Sequence, residues 1–158
     1  MQYVIQKKWY GIHADILIFT EAGDLLSRLQ GRGLPLGRRP YRILQNGREI
    51  MTVRRRTPWL NPKYVVLRGQ QEVARAGTRG LIPRGFIHAP GLPLVECEYG
   101  WGLNWRMPLS TARAEIGRME LLSGWGVKVL LTLESKRFDT LEFLVGCALV
   151  FRDWTSRG

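Results

Sequence analysis

The sequence is poor in the residues that most often perform chemistry. Its 158 residues include two histidines, two cysteines and only four aspartates. His13 and His88 stand far apart, and neither falls in the spacing of a metal site or a catalytic triad. Gly31, Gly33 and Gly37 lie in GRGLPLGRRP, which lacks the Lys-Ser/Thr ending of a P-loop and the helix that must follow one. Ser110 and Thr111, after Pro108, read as turn residues. Glu96 and Glu98 share one strand face by their i, i+2 spacing, which suits a solvated outer surface better than an acid–base pair. No enzyme is expected, and no cofactor or metal.

Long apolar runs are also scarce. The most apolar stretch is DTLEFLVGCALVFRDW, and the segment between Glu142 and Arg152 is far shorter than the roughly 20 residues that cross a bilayer as a helix. On a 3.6-residue helix its apolar side chains cover every side, so such a helix must be surrounded by the rest of the protein. A helix is therefore expected over about 139–153, buried and without a transmembrane segment. Cys97 falls in an apparent strand and Cys147 on this helix, and both read as small core hydrophobes in a reducing compartment, a disulfide being the alternative. After Lys7 and Lys8 the run WYGIHADILIF has no continuous apolar core of a secretory signal, so a cytoplasmic location is expected, with peripheral membrane contact possible.

What is abundant is turn chemistry. Sixteen of the eighteen glycines and all eight prolines punctuate short apolar strands over about 3–133. Gln45-Asn46-Gly47 joins Tyr41–Leu44 to Arg48–Val53, and Asn-Gly between two apolar runs marks a tight hairpin. YRILQNGREIMTVRRR and YVVLRGQQEVARAGTR align as two copies of one unit, with strand openings near Ile16, Tyr41, Tyr64, Phe86, Trp105 and Val127. Six such hairpins make about twelve antiparallel strands, too many to leave as an open sheet with exposed edges. A closed barrel of that width cannot be filled by side chains alone, and the apolar helix supplies the missing core. The expected fold is one all-β domain over 1–158, a closed antiparallel barrel of about twelve strands around a central C-terminal helix.

The charge is +11, and acidic residues are missing from one third of the chain in particular. Residues 32 to 84 hold thirteen Lys and Arg against Glu49 and Glu72 alone, whereas the segments on either side are balanced. Arg54, Arg55 and Arg56 end one strand, Arg38 and Arg39 precede the same hairpin, and Lys63 follows the Pro58-Trp59-Leu60-Asn61-Pro62 bend. Alternation sends Arg54 and Arg56 to one side and Arg55 to the other. Arg38, Arg39, Arg54, Arg55, Arg56 and Lys63 around Trp59 are thus a candidate anion site, since Arg binds two phosphate oxygens at once and Trp settles at membrane interfaces. Its partner would be an anionic lipid head group or an acidic protein surface, the latter making the chain a structural or interaction scaffold. A charged face that only keeps the protein dissolved is the plainer reading. Nucleic acid fits less well, because Tyr41 and Tyr64 open strands and are expected in the core, where they cannot stack bases.

The aromatic-led hairpins, the segment TPWLNPKYVV and the final apolar helix resemble the tubby C-terminal-like superfamily over Tyr3 to Trp154. The nearest likeness is to LURP-one-related proteins and their small bacterial relatives, with phospholipid scramblases as cousins. This resemblance implies a twelve-stranded barrel around a helix, and an association with phosphoinositides or membranes. It does not extend to scramblase-like calcium binding: LESKRFDTLEF mixes Lys136 and Arg137 with its carboxylates, whereas calcium takes six to eight oxygen ligands.

Overall fold

The computed structural model describes residues 1–10, 13–31, 40–56, 61–99, 106–122 and 128–156. The strands are β1 (Gln2–Tyr10), β2 (His13–Thr20), β3 (Leu25–Gly31), β4 (Tyr41–Gln45), β5 (Arg48–Arg55) and β6 (Lys63–Arg68). They continue as β7 (Gln71–Arg79), β8 (Arg84–His88), β9 (Val95–Glu98), β10 (Arg106–Ser110), β11 (Glu115–Leu121) and β12 (Lys128–Leu133). Each pairs antiparallel with its neighbour in sequence, and β1 pairs with β12, so the meander closes into a barrel. Helix α1 (Leu141–Thr155) follows a short 3-10 turn. It begins and ends about two residues later than the apolar pattern suggests, because the Thr140 hydroxyl caps it by accepting from the Phe143 amide. Ser110, expected in a turn, instead ends β10 by pairing with Glu96 and Glu115, while the Thr111 hydroxyl forms the turn.

Turn chemistry sets the register. Asn46 and Gly47 both take positive φ, at 52° and 76°, which places the two-residue turn between the paired Gln45 and Arg48. A β-bulge between Ile43 and Leu44 then restores the alternation needed to keep Ile43, Met51 and Val53 inward.

The core is the lumen. Phe143 to Phe151 are all buried, as expected for a helix apolar all round, and Ile5, Ile16, Ile18, Leu29, Met107, Leu109 and Leu131 surround them. α1 lies nearest β7 and β8. Those strands present small inward residues there: Ala74 and Ala76 on β7, Gly85 on β8. A Cβ on Gly146 would sit 2.5 Å from Ile87 Cγ2, and one on Gly85 2.7 Å from Val150 Cγ1. Helix and strand thus each leave a gap that the other fills. Cys97 and Cys147 are both buried and free, not joined, and burial first of all pushes both thiols up.

The outer face carries charge on most strands, among them Lys8, Arg28, Arg42, Arg54, Arg75, Arg84, Glu96 and Arg118. That is the opposite of the apolar band with which a barrel crosses a bilayer. No helix among the described residues is long and apolar enough to cross one.

Gly146→Val should destabilise the fold by about 2 kcal/mol, because the branched Ile87 cannot swing away. Combining it with Ile87→Ala should cost less than the sum of the two single changes, read from urea unfolding. Strict additivity would show that the helix does not rest on Ile87.

Candidate functional site: a cationic barrel mouth

Charge is sorted along the barrel axis. An up-and-down meander returns every second connection to the same end, so residues distant in sequence share a rim. In the half where α1 finishes, Lys7, Lys8, Arg42, Arg54, Arg55, Arg56, Lys63, Arg79, Arg84, Arg106, Lys128 and Arg152 accompany only Asp15, Glu98, Glu120 and Asp153, while Arg28, Arg75, Arg118 and Glu96 stand near mid-strand. In the half where α1 begins, Arg48, Arg68, Arg113, Lys136 and Arg137 accompany Glu21, Asp24, Glu49, Glu72, Glu115, Glu134, Asp139 and Glu142. Twelve cations against four carboxylates at one end become five against eight at the other.

The mouth has an inner and an outer layer. Inside, the Asp153 carboxylate is buried and accepts from the Tyr64 hydroxyl at 3.0 Å and from Arg152 at 3.2 Å. Arg152 also donates to the Tyr64 oxygen at 2.6 Å and lies 5.8 Å from the Tyr41 ring. Arg55 pairs across the sheet with Tyr64, on the same inward face as Val53. Lys7 is held below its usual range, first by burial and then by the nearby Arg152 charge. Burial, with Asp153 second, keeps the Tyr64 hydroxyl protonated well above its usual range. Arg152 is thus the cation bonded to the buried Asp153, with Lys7 and Arg55 on the same inward side, and the helix C-terminus favours the charge of Arg152.

Outside, Arg54, Arg56 and Lys63 are exposed. Arg56 lies 3.9 Å from Glu72, which Arg75 binds more closely; that hydrogen bond is the main reason the Glu72 carboxyl stays below its usual range. Arg79 and Arg84 share Glu96, which sits on the solvated face with Glu98. The expected cluster is therefore divided by the β-alternation. Arg54, Arg56 and Lys63 belong to the outer layer, and Arg55 belongs to the inner one. Arg38, Arg39 and Trp59 lie outside the described residues. Tyr41 and Tyr64 are buried in the lumen, as their positions at strand starts suggested.

Lys7 and Arg152 escape sequence reasoning, because one sits in a balanced segment and the other marks a helix end. Counting hairpins by parity would have brought them together with Arg55. Among the described residues no three His, Cys, Asp or Glu side chains converge in a way that could hold a metal. His13 stacks on Tyr10 and approaches Asp15 at 3.9 Å, whereas His88 is exposed in the other half of β8.

Asp153→Ala should destabilise the fold by about 2 kcal/mol, less than a fully enclosed pair because Arg152 keeps some contact with water. Tyr64 binds its proton more tightly folded than unfolded, so its contribution is complete below pH 10.0 and declines as pH rises past that value. Tyr64→Phe should accordingly flatten the alkaline loss of stability, measured by denaturant unfolding as a function of pH.

Comparison with protein-family models, curated proteins and solved structures returned no match to this chain.

Proposed function

We propose that the chain is a non-catalytic binding module that contacts anionic phospholipid head groups, at a membrane surface, through the basic half of its barrel. The observation that carries this reading is the axial sorting of charge, twelve cations against four carboxylates at one end. These cations are distributed around the rim: Lys8 on β1, Arg54 on β5, Lys63 on β6, Arg79 on β7, Arg106 on β10 and Lys128 on β12. A ring of that kind suits a flat anionic surface, whereas an acidic peptide would be served by cations gathered in a groove. Near an anionic leaflet each cation contributes about 1 kcal/mol. Five or six of them give attachment on the order of 0.1 mM before screening by salt, without a deep pocket. The resemblance to tubby-like proteins points toward the same class of ligand. The inner layer, with Lys7 held below its usual range first by burial and then by the neighbouring Arg152, gains from any phosphate that approaches it.

Vesicle co-sedimentation tests the reading. Phosphatidylcholine–phosphatidylserine vesicles should pellet the protein at low salt, phosphatidylcholine vesicles should not, and the difference should shrink as salt rises. Arg54→Glu/Arg56→Glu/Lys63→Glu should weaken the anionic binding by about tenfold or more. Equal binding to both vesicles, or to neither, would remove the proposal. Retention on an acidic protein in the absence of any lipid binding would point to the scaffold role.

A further inference from the structure

Six large hydrophobic side chains stand exposed among the described residues: Trp9, Tyr10, Leu25, Leu81, Ile82 and Leu122. All except Leu25 are on the cationic rim. Leu81 and Ile82 are extreme, at 104% and 70% exposure, and they form the tip of the β7–β8 connection from Gly80 to Pro83. Tips of hairpins ordinarily carry Gly, Asn, Asp or Ser, which suit the turn and the solvent. Two adjacent aliphatic residues there gain nothing from the fold. Arg79 and Arg84, paired across the sheet, stand at the base of the tip.

A second tip lies at the β1–β2 connection. Trp9 is 62% exposed, with the Lys7 ammonium 5.0 Å from its ring. Tyr10 has the Lys8 ammonium at 5.5 Å and the Arg28 guanidinium at 5.1 Å. In a ring of twelve strands, the β1–β2 and β7–β8 connections are diametrically opposite. Leu122, just past β11, adds a third point on the rim. Three apolar points around one rim define a plane across the barrel axis.

Building on the head-group reading above, we infer that the barrel stands end-on on an anionic phospholipid bilayer, with Leu81, Ile82 and Trp9 inserted at the acyl boundary and the rim cations at phosphate depth. A bilayer offers an apolar layer beneath a charged one, which is the order found from tip to base at both connections. A second copy of this chain fits poorly, because joining two such ends would bring like charges together. An acidic protein would satisfy the cations without providing an apolar layer at opposite points of the rim.

The test uses the full chain and two labelling positions. Leu81→Cys and Leu25→Cys would each carry an environment-sensitive fluorophore, the native Cys97 and Cys147 being buried. On phosphatidylcholine–phosphatidylserine vesicles the label at 81 should shift to the blue and be quenched by brominated lipid, while the label at 25 should not respond. Leu81→Asp/Ile82→Asp should lower vesicle partition by about tenfold or more with unfolding unchanged. If the wild type pellets with anionic vesicles but the label at 81 is silent or that at 25 responds, the end-on arrangement is wrong and head-group binding stands. If the wild type does not bind, both fail. A dimer dissolved by the double Asp variant, with vesicle partition unchanged, would assign the tips to self-association and overturn the inference.

Discussion

The contact between α1 and the inward faces of β7 and β8 is what the remaining ten strands accommodate. A twelve-stranded barrel has a lumen wider than side chains from opposite walls can fill. A helix about 10 Å across, its side chains included, occupies that space, but only if it meets the wall without voids. Gly146 against Ile87 and Gly85 against Val150 allow a close approach on one side. Larger residues such as Ile16, Leu29, Met107 and Leu109 then span the remaining distance on the others. The small residues of β7 and β8 and the large ones elsewhere are two halves of a single packing solution.

Apolar contacts alone would let the helix slide along the lumen. Polar groups at its two ends prevent this. At the start, Thr140 caps the first turn, Glu142 bonds Arg68 at 2.8 Å, and Asp139 accepts from the Tyr3 hydroxyl. At the finish, Asp153 and Arg152 lock onto Tyr64. The same finishing groups place charge at the mouth, so the axial register of the plug and the electrostatics of the rim are set together.

Much of the fold was legible because its signals are local. Alternation and Asn46-Gly47 mark strands and a turn within a few residues, and the all-round apolarity of residues 143–151 marks a buried helix by itself. The mouth was less legible because it is a property of closure. Alternation already separates Arg55 from Arg54 and Arg56 in the sequence, but the partners that each side meets, Tyr64 within and Glu72 outside, come from the pairing of the strands. Lys7, Arg55 and Arg152 come from the first strand, the fifth and the helix, and no spacing in the sequence links them. Leu81 and Ile82 in a Gly-to-Pro turn carried no meaning until the topology placed them opposite Trp9.

Closure of the barrel through β1 and β12 also has a consequence during synthesis. Every other strand pairing joins sequence neighbours and can form as the chain lengthens. The β1–β12 seam cannot form until more than a hundred residues separate its two partners, and the helix that fills the lumen is made after all twelve strands. Until then the growing sheet displays its entire apolar inner face, with two free edges. The nascent chain therefore passes through its most aggregation-prone form between the synthesis of β12 and that of α1.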